Sequence, residues 1–293
     1  MGKEAAIAEV VRPVPSSMAR LWRFVRRNTT LVIGLAILSF MVLLALIAPF
    51  FAGDPYTMKP IQRLKPPSDA FWFGTDQLGR DVFARTVYGA RISLIVGISV
   101  AVLSVVIGLI FGLLAGVVRW IEAIFMRLLD GLMAIPAILL AIALVSLFNA
   151  SVGIVIMAIV IPEIPRVVRL VRSVVLSTRE QPFVEAAIAG GAPTWKILIR
   201  HILPPTIPPL IVQATYICAS AILVEAGLSF LGAGTPPEIP TWGNMIAADR
   251  LYLGRAPWCI FWPGIALALV VLAVNLVGDG LRDRLDPRIA RRM

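Results

Sequence analysis

Few residues in this 293-residue chain are able to do chemistry, and their scarcity limits what it can do. There is one histidine, His201, so neither a His-based triad nor an imidazole metal cluster can be assembled. The four lysines, Lys3, Lys59, Lys65 and Lys196, all lie outside the Gly-x4-Gly-Lys spacing of a phosphate-binding loop, which excludes ATP binding by that route. Energy for any work must therefore come from a partner or an ion gradient. Cys218 and Cys259 lie within or beside apolar runs, without metal-ligand spacing, and read as small core hydrophobes rather than a disulfide. Glu225 is the one carboxylate that this reading places inside an apolar run, about six residues or roughly 9 Å from its end. Such an acid serves either as a proton or cation site or as an acceptor for neighbouring backbone and hydroxyl groups.

One stretch is highly organised yet carries no catalytic constellation. Glu185-Ala-Ala-Ile-Ala-Gly-Gly191, running on to Leu203-Pro204, sits in a polar, basic insertion of about forty residues between apolar segments. Ser177-Thr-Arg-Glu180 has the form of a capping box, and Pro182 suits the first turn of a helix that ends at Gly190-Gly191. Thr194 is expected to cap a second short helix with Trp195, Leu198, Ile199 and Ile202 on one face. Pro204, Pro205, Pro208 and Pro209 are expected to break that helix before the next apolar run. Two short helices lying across the end of a bundle transmit contact from a soluble partner.

The elements that position these residues are apolar. The chain is 59% hydrophobic and only 15% charged, with mean hydropathy +0.88, against about 25% charged in a soluble domain. Apolar runs cover Leu31–Phe51, Ile92–Val118, Leu132–Phe148, Val152–Ile161, Ile207–Leu231 and Ile260–Val277. The third and fourth are short, separated only by Asn149-Ala-Ser151; read as two helices joined by a tight turn they give six spans, the alternative being one re-entrant helix. Residues 1–30, 119–130, 162–206 and 279–293 carry 19 of the 27 Lys and Arg. With six spans these segments share one side, the cytoplasm, so both termini are expected inside. The net charge of +10 is accounted for by basic residues facing anionic lipid, without nucleic acid. The first run is too long for a secretory h-region and reads as a retained anchor. Residues 52–90 form an extracytoplasmic loop rich in turn formers, with an amphipathic lead-in from Val82. Gly108, Gly112 and Gly116 share one helix face for close packing.

Glu185-Ala-Ala, Gly191 and Leu203-Pro204 resemble the EAA motif of permease subunits of bacterial ABC importers. His201 stands where the general pattern has isoleucine, as in the dipeptide/oligopeptide/nickel branch. Further blocks resemble that branch: Phe73-Gly-Thr-Asp-Gln-Leu-Gly-Arg-Asp81 with Tyr88-Gly-Ala-Arg-Ile-Ser-Leu94, Glu225-Ala-Gly-Leu-Ser-Phe-Leu-Gly232 with Pro240-Thr-Trp-Gly243, and Gly278-Asp-Gly-Leu-Arg-Asp283 with Leu285-Asp-Pro-Arg288. The likeness is to the second-type permease with the Gly-Thr-Asp loop.

The resemblance implies an all-α polytopic inner-membrane protein of the type I importer permease fold. Its parts would be a cytoplasmic segment 1–30, an anchor 31–51, the loop 52–90, a core 91–278 containing the EAA segment 177–205, and a cytoplasmic tail 279–293. It implies a homologous, non-identical permease partner, two cytoplasmic ATPase subunits that bind ATP and Mg, and an extracytoplasmic solute-binding protein; no cofactor is expected in this chain. The coupling helix would span Phe183–Gly190, with Phe183, Glu185, Ala186, Ala187, Gly190, Gly191, Leu203 and Pro204 as its functional residues and Trp195 and Leu198 as its anchors. Cargo would be di- or oligopeptide, with nickel or another small solute as the alternative. A proton-coupled carrier using Glu225 is the competing class. Gln213, Tyr216 and Ser220 share a face and either line the pathway or bond within the bundle.

Overall fold

The computed structural model describes residues 25–285. Its helices are α1 (Thr29–Phe51), α2 (Val82–Val117), α3 (Arg119–Met133), α4 (Ala137–Leu147), α5 (Val152–Arg179), α6 (Pro182–Ala189), α7 (Thr194–Ile197), α8 (Leu203–Phe230), α9 (Trp242–Asp249) and α10 (Trp258–Leu285). Among the described residues there is no strand, only two isolated bridges in the loop before α2. The expected terminal segments up to residue 24 and from 286 onward, Asp286-Pro-Arg288 included, lie outside the described residues.

Glycine sets the closest helix pair. A Cβ on Gly108, Gly112 or Gly116 of α2 would lie 2.5 Å from Val167, Val171 or Val175 of α5 respectively. Both sets advance by four residues in the same direction, so α2 and α5 run parallel. The chain must return along the bundle between them, through the bent pair α3–α4. The third and fourth apolar runs accordingly fall on different helices, the third on the α3–α4 pair and the fourth on α5. Replacing Gly112 by Leu should cost about 1–3 kcal/mol, read as a lower melting temperature in detergent. An unchanged melting curve would show that the two helices part without loss.

By length and composition four helices, Thr29–Phe51, Val82–Val117, Thr194–Phe230 and Trp258–Leu285, are able to cross a membrane. The pair Trp120–Met133 and Ala137–Leu147 is bent by 90° and adds a fifth if the two helices together form one span. The remaining expected span, α5, has 28 residues and is long enough, but it carries Glu163, Arg166 and Arg169. The apolar run ending at Ile161 is only its first part, because Pro162 and Pro165 are accommodated inside a continuous helix.

Other local expectations are corrected. Ser177 does not cap α6; it lies inside α5, where its hydroxyl donates to the Val174 carbonyl, and Gln181 precedes α6 without a side-chain cap. Pro193, not Thr194, occupies the cap of α7. The four prolines do not break the chain from the next span. A π-helical turn, Leu198–Ile202, joins α7 to α8; Pro204 and Pro205 fall in the first turn of α8 and Pro208 and Pro209 inside it. First-turn positions tolerate a missing N–H, and the wide turn gives the proline rings room. The same turn shifts the apolar register. Ile197 and Ile202 are buried, whereas Trp195 and Ile199 are 65% and 60% exposed, so Trp195 is not an anchor.

Candidate coupling segment and polar sites

At one end of the bundle α6 presents its length outward. Only Val184 is buried, in the core cluster that also holds Ile197 and Ile202. Phe183 and Ile188 are about half exposed, Glu185 and Ala186 exposed, and Ala187 half-buried. The Phe183 ring lies 6.2 Å from the His201 ring, linking α6 to the π turn. Leu203 is half-buried and Pro204 exposed beside that turn.

The end of α6 is a left-handed helix stop. The Ala192 N–H donates to the Ala187 carbonyl at 3.1 Å and the Gly191 N–H to the Ile188 carbonyl at 2.9 Å, with Gly191 at φ +74°. No atom lies within 4 Å of a Cβ built on Gly191, so glycine is needed here for its backbone angle and not for close approach. Gly190 has an ordinary negative φ. The segment is an exposed helix anchored by one buried side chain.

Glu225, fully buried on α8, accepts from Ser229 Oγ at 2.9 Å and Thr235 Oγ1 at 3.3 Å; its Oε2 has no partner. Asn244 Nδ2 donates to the Thr235, Pro236 and Ile239 carbonyls, and Thr241 Oγ1 caps α9. Glu225 thus accepts one hydroxyl from α8 itself and one from the 231–241 loop, joining the two. Gln213, Tyr216 and Ser220 lie on the opposite side of α8 from Glu225 at about 100° per residue. Tyr216 is exposed and the other two half-buried.

Two of the matched blocks meet at Trp242. Its ring is fully buried, its Nε1 donates to the Thr86 carbonyl at 2.9 Å, and it packs on Gly89. The third block closes the bundle elsewhere: Gly280 lies against Leu31 of α1, and Gly278 against Thr215 of α8.

The sequence reading missed two charged groups. Glu225 is not the only carboxylate within the helices, since Glu163 on α5 is buried and paired with Arg166 at 3.1 Å. Farther along α5, Arg169 meets Asp130 at 2.5 Å and Arg172 meets Glu122, tying α5 to α3. The spacing of Glu163, Arg166, Arg169 and Arg172 was a usable signal, hidden by assigning these residues to the insertion.

At the other end of the bundle, Asp76, Arg80, Arg85 and Asp249 form a buried cluster. Asp76 accepts from the N–H groups of Leu78 and Arg80 and pairs with Arg80 Nε at 2.6 Å. Asp249 accepts from the Gln77 N–H. Thr75 joins the loop to the start of α10: its carbonyl accepts from Trp258 Nε1 and Cys259 Sγ, both at 3.3 Å. Burial, with Asp76 nearby, pushes the Asp249 carboxyl up to about 6, against the pull of the Gln77 N–H and of Arg80 and Arg85. A carboxyl raised in the fold stabilises it most at low pH, and the contribution is lost as pH rises from the unfolded value through about 6. The thermal stability of the purified chain should therefore rise by on the order of 1 kcal/mol between pH 7 and 5. Asp249→Asn should flatten that slope; an equal slope in the variant would remove Asp249 as its source.

Comparison with known proteins completes the picture. Residues 104–291 match the family model described as the inner membrane component of binding-protein-dependent transport systems, and residues 16–67 match the N-terminal TM domain of oligopeptide transport permease C. A probable peptide ABC transporter permease of Sinorhizobium fredii is 61% identical over 270 residues, covering 92% of this chain and 93% of that protein. A dipeptide transport system permease of Alkalihalophilus pseudofirmus is 43% identical, covering 90% and 88%. A di/tripeptide transport system permease of Pseudomonas aeruginosa is 40% identical, covering 94% and 93%. Among solved structures, an inward-facing form of the MetNI methionine ABC transporter superposes with TM-score 0.56 at 20% identity, over 70% of this chain and 97% of that one, a likeness of fold.

Proposed function

The chain belongs to the inner-membrane components of binding-protein-dependent transport systems, and from that premise we propose that it carries di- or oligopeptides inward as one permease of an ATP-driven importer. The family is one of transport permeases, not enzymes, and the proposal assigns ATP and Mg to two separate cytoplasmic ATPase subunits. A homologous second permease and an extracytoplasmic solute-binding protein complete the assembly. The peptide reading is supported by the relatives in Sinorhizobium, Alkalihalophilus and Pseudomonas, which are named as peptide, dipeptide and di/tripeptide permeases.

The observation that carries the mechanism is α6: an exposed eight-residue helix with a glycine stop, held to the core through Val184 and to the π turn before α8 through the Phe183–His201 contact. In this proposal α6 faces the cytoplasm and seats in an ATPase, with Glu185, Ala186, Ala187, Gly190 and Gly191 on its contact surface. Leu203 and Pro204 pass the displacement into α8. Closure of the ATPase pair then tilts the spans between two access states. The 52–90 loop faces outward under the same assignment, both termini face inward, and Gln213, Tyr216 and Ser220 line the route on the side of α8 away from Glu225.

The test is uptake of a labelled dipeptide by vesicles holding the complete complex. ATP inside the ATPase compartment should drive uptake, an uncoupler should leave it unchanged, and Glu225→Gln should keep at least about half of it, since the amide preserves shape and the Oε1 acceptor. Uptake that collapses with the proton gradient, is abolished by Glu225→Gln and needs no ATP would replace the importer by a proton-coupled carrier.

A further inference from the structure

The outward faces of the long helices differ in kind. α1 exposes Phe40, Leu43 and Leu46, and α2 exposes Ile98, Val102 and Val106, as helix surfaces facing hydrocarbon do. The second half of α5 instead exposes Arg166, Arg169, Ser173 and Ser177, one continuous polar stripe at spacings of three and four residues. Arg166 lies fourteen residues past the start of α5, about 21 Å along it, and so about two-thirds of the way through a hydrocarbon layer of roughly 30 Å. A charged side chain open to its surroundings at that depth faces water or an anion, not lipid.

Arg166 is built to meet an anion. Its side chain is 44% exposed, and the Glu163 partner is buried at 7%. Only Nη1 contacts that partner, reaching the two carboxylate oxygens at 3.1 and 3.3 Å. Among the described residues Nε and Nη2 have no partner, so one edge of the guanidinium fork is left open. Arg169 is held in the same partial manner, through Nη2 alone to Asp130 at 2.5 Å. The arginines are fixed in place by acids behind and beside them, while their outward edges face the polar stripe.

We propose that Arg166, with Arg169 one turn beyond it, is a transit site for the C-terminal carboxylate of the peptide cargo on the cytoplasmic half of the route. This rests on the peptide-importer reading above. A guanidinium edge matches a carboxylate in shape and charge. The Glu163 pair keeps the site from being a bare cation, which weakens its grip enough for the peptide to leave.

The experiment uses the complete complex in vesicles, with binding protein loaded either with labelled dialanine or with its C-terminal amide. The double variant Glu163→Gln with Arg166→Gln removes both charges and leaves no buried acid unpaired. It should lower the ratio of acid to amide uptake about tenfold, while stimulation of ATP hydrolysis by loaded binding protein stays as in the wild type. Arg166→Lys, which keeps the charge but loses the fork, should lower the ratio by about threefold, between the wild type and the double variant. An unchanged ratio in the double variant, or a loss of stimulation matching the loss of uptake, overturns the transit site alone. A wild-type complex that imports neither peptide with ATP overturns the peptide reading as well.

Discussion

Removal of residues 183–191 should reduce ATP-driven uptake to background while the chain still inserts and keeps its bundle. Most of the segment lies outside the core: of α6 only Val184 is buried, and the bundle is held chiefly by the contacts among α1, α2, α5, α8 and α10. Loss of α6 therefore removes a contact surface and leaves the bundle packing in place. The measurement pairs uptake with the melting temperature of the purified chain, and survival of uptake would end the transmission role assigned to α6. A graded version acts at Gly191. Its φ of +74° is strained for any side chain, so Gly191→Val should cost about 1–3 kcal/mol locally and unwind the stop. Gly191→Asp should do less, because Asp enters the left-handed region more readily and open space surrounds the site.

The largest expected loss of stability is at Trp242. Trp242→Ala removes the largest fully buried side chain, empties the contact with Gly89 and takes away the donor to the Thr86 carbonyl. A buried Trp→Ala change costs about 3–5 kcal/mol, comparable to the whole stability of many domains. The variant should be recovered in low yield, with protease cutting in the 231–241 loop, which Trp242 and Glu225 together hold down. A melting temperature equal to that of the wild type would show that α9 contributes little to the bundle.

Much of this was legible in the residues. Gly108, Gly112 and Gly116 announced a close helix contact because their four-residue spacing survives in the fold, and the valines at 167, 171 and 175 answer it. Gly191 was legible as a helix stop, though the sequence left open whether angle or space required it. Prolines misled twice. Pro162 and Pro165 ended an apolar run on paper yet sit inside α5, and Pro204 to Pro209 follow a π turn instead of breaking the helix. A local rule for proline does not register that neighbouring helices can hold a perturbed helix together. The misplaced boundary at Ile161 then hid Glu163 and Arg166, the pair on which the cargo site rests. The loop cluster was out of reach for a different reason: nothing near Asp249 in the sequence points to Asp76, more than 170 residues earlier.

That separation sets an order of events during synthesis. The Gln77 N–H waits for Asp249, 172 residues later, and Thr75 for Trp258 and Cys259, 183 and 184 residues later. At about 5–20 residues per second, the loop before α2 stays open for roughly 10 to 35 s after it emerges. Its buried acids and arginines spend that time in water, unpaired with the far end of the chain. This early loop is thus among the last parts to lock, and the lock closes only on a chain that has delivered α9 and the start of α10. A ribosome that stalls before residue 249 leaves this loop unlatched, a ready mark by which a protease could tell an unfinished permease from a complete one.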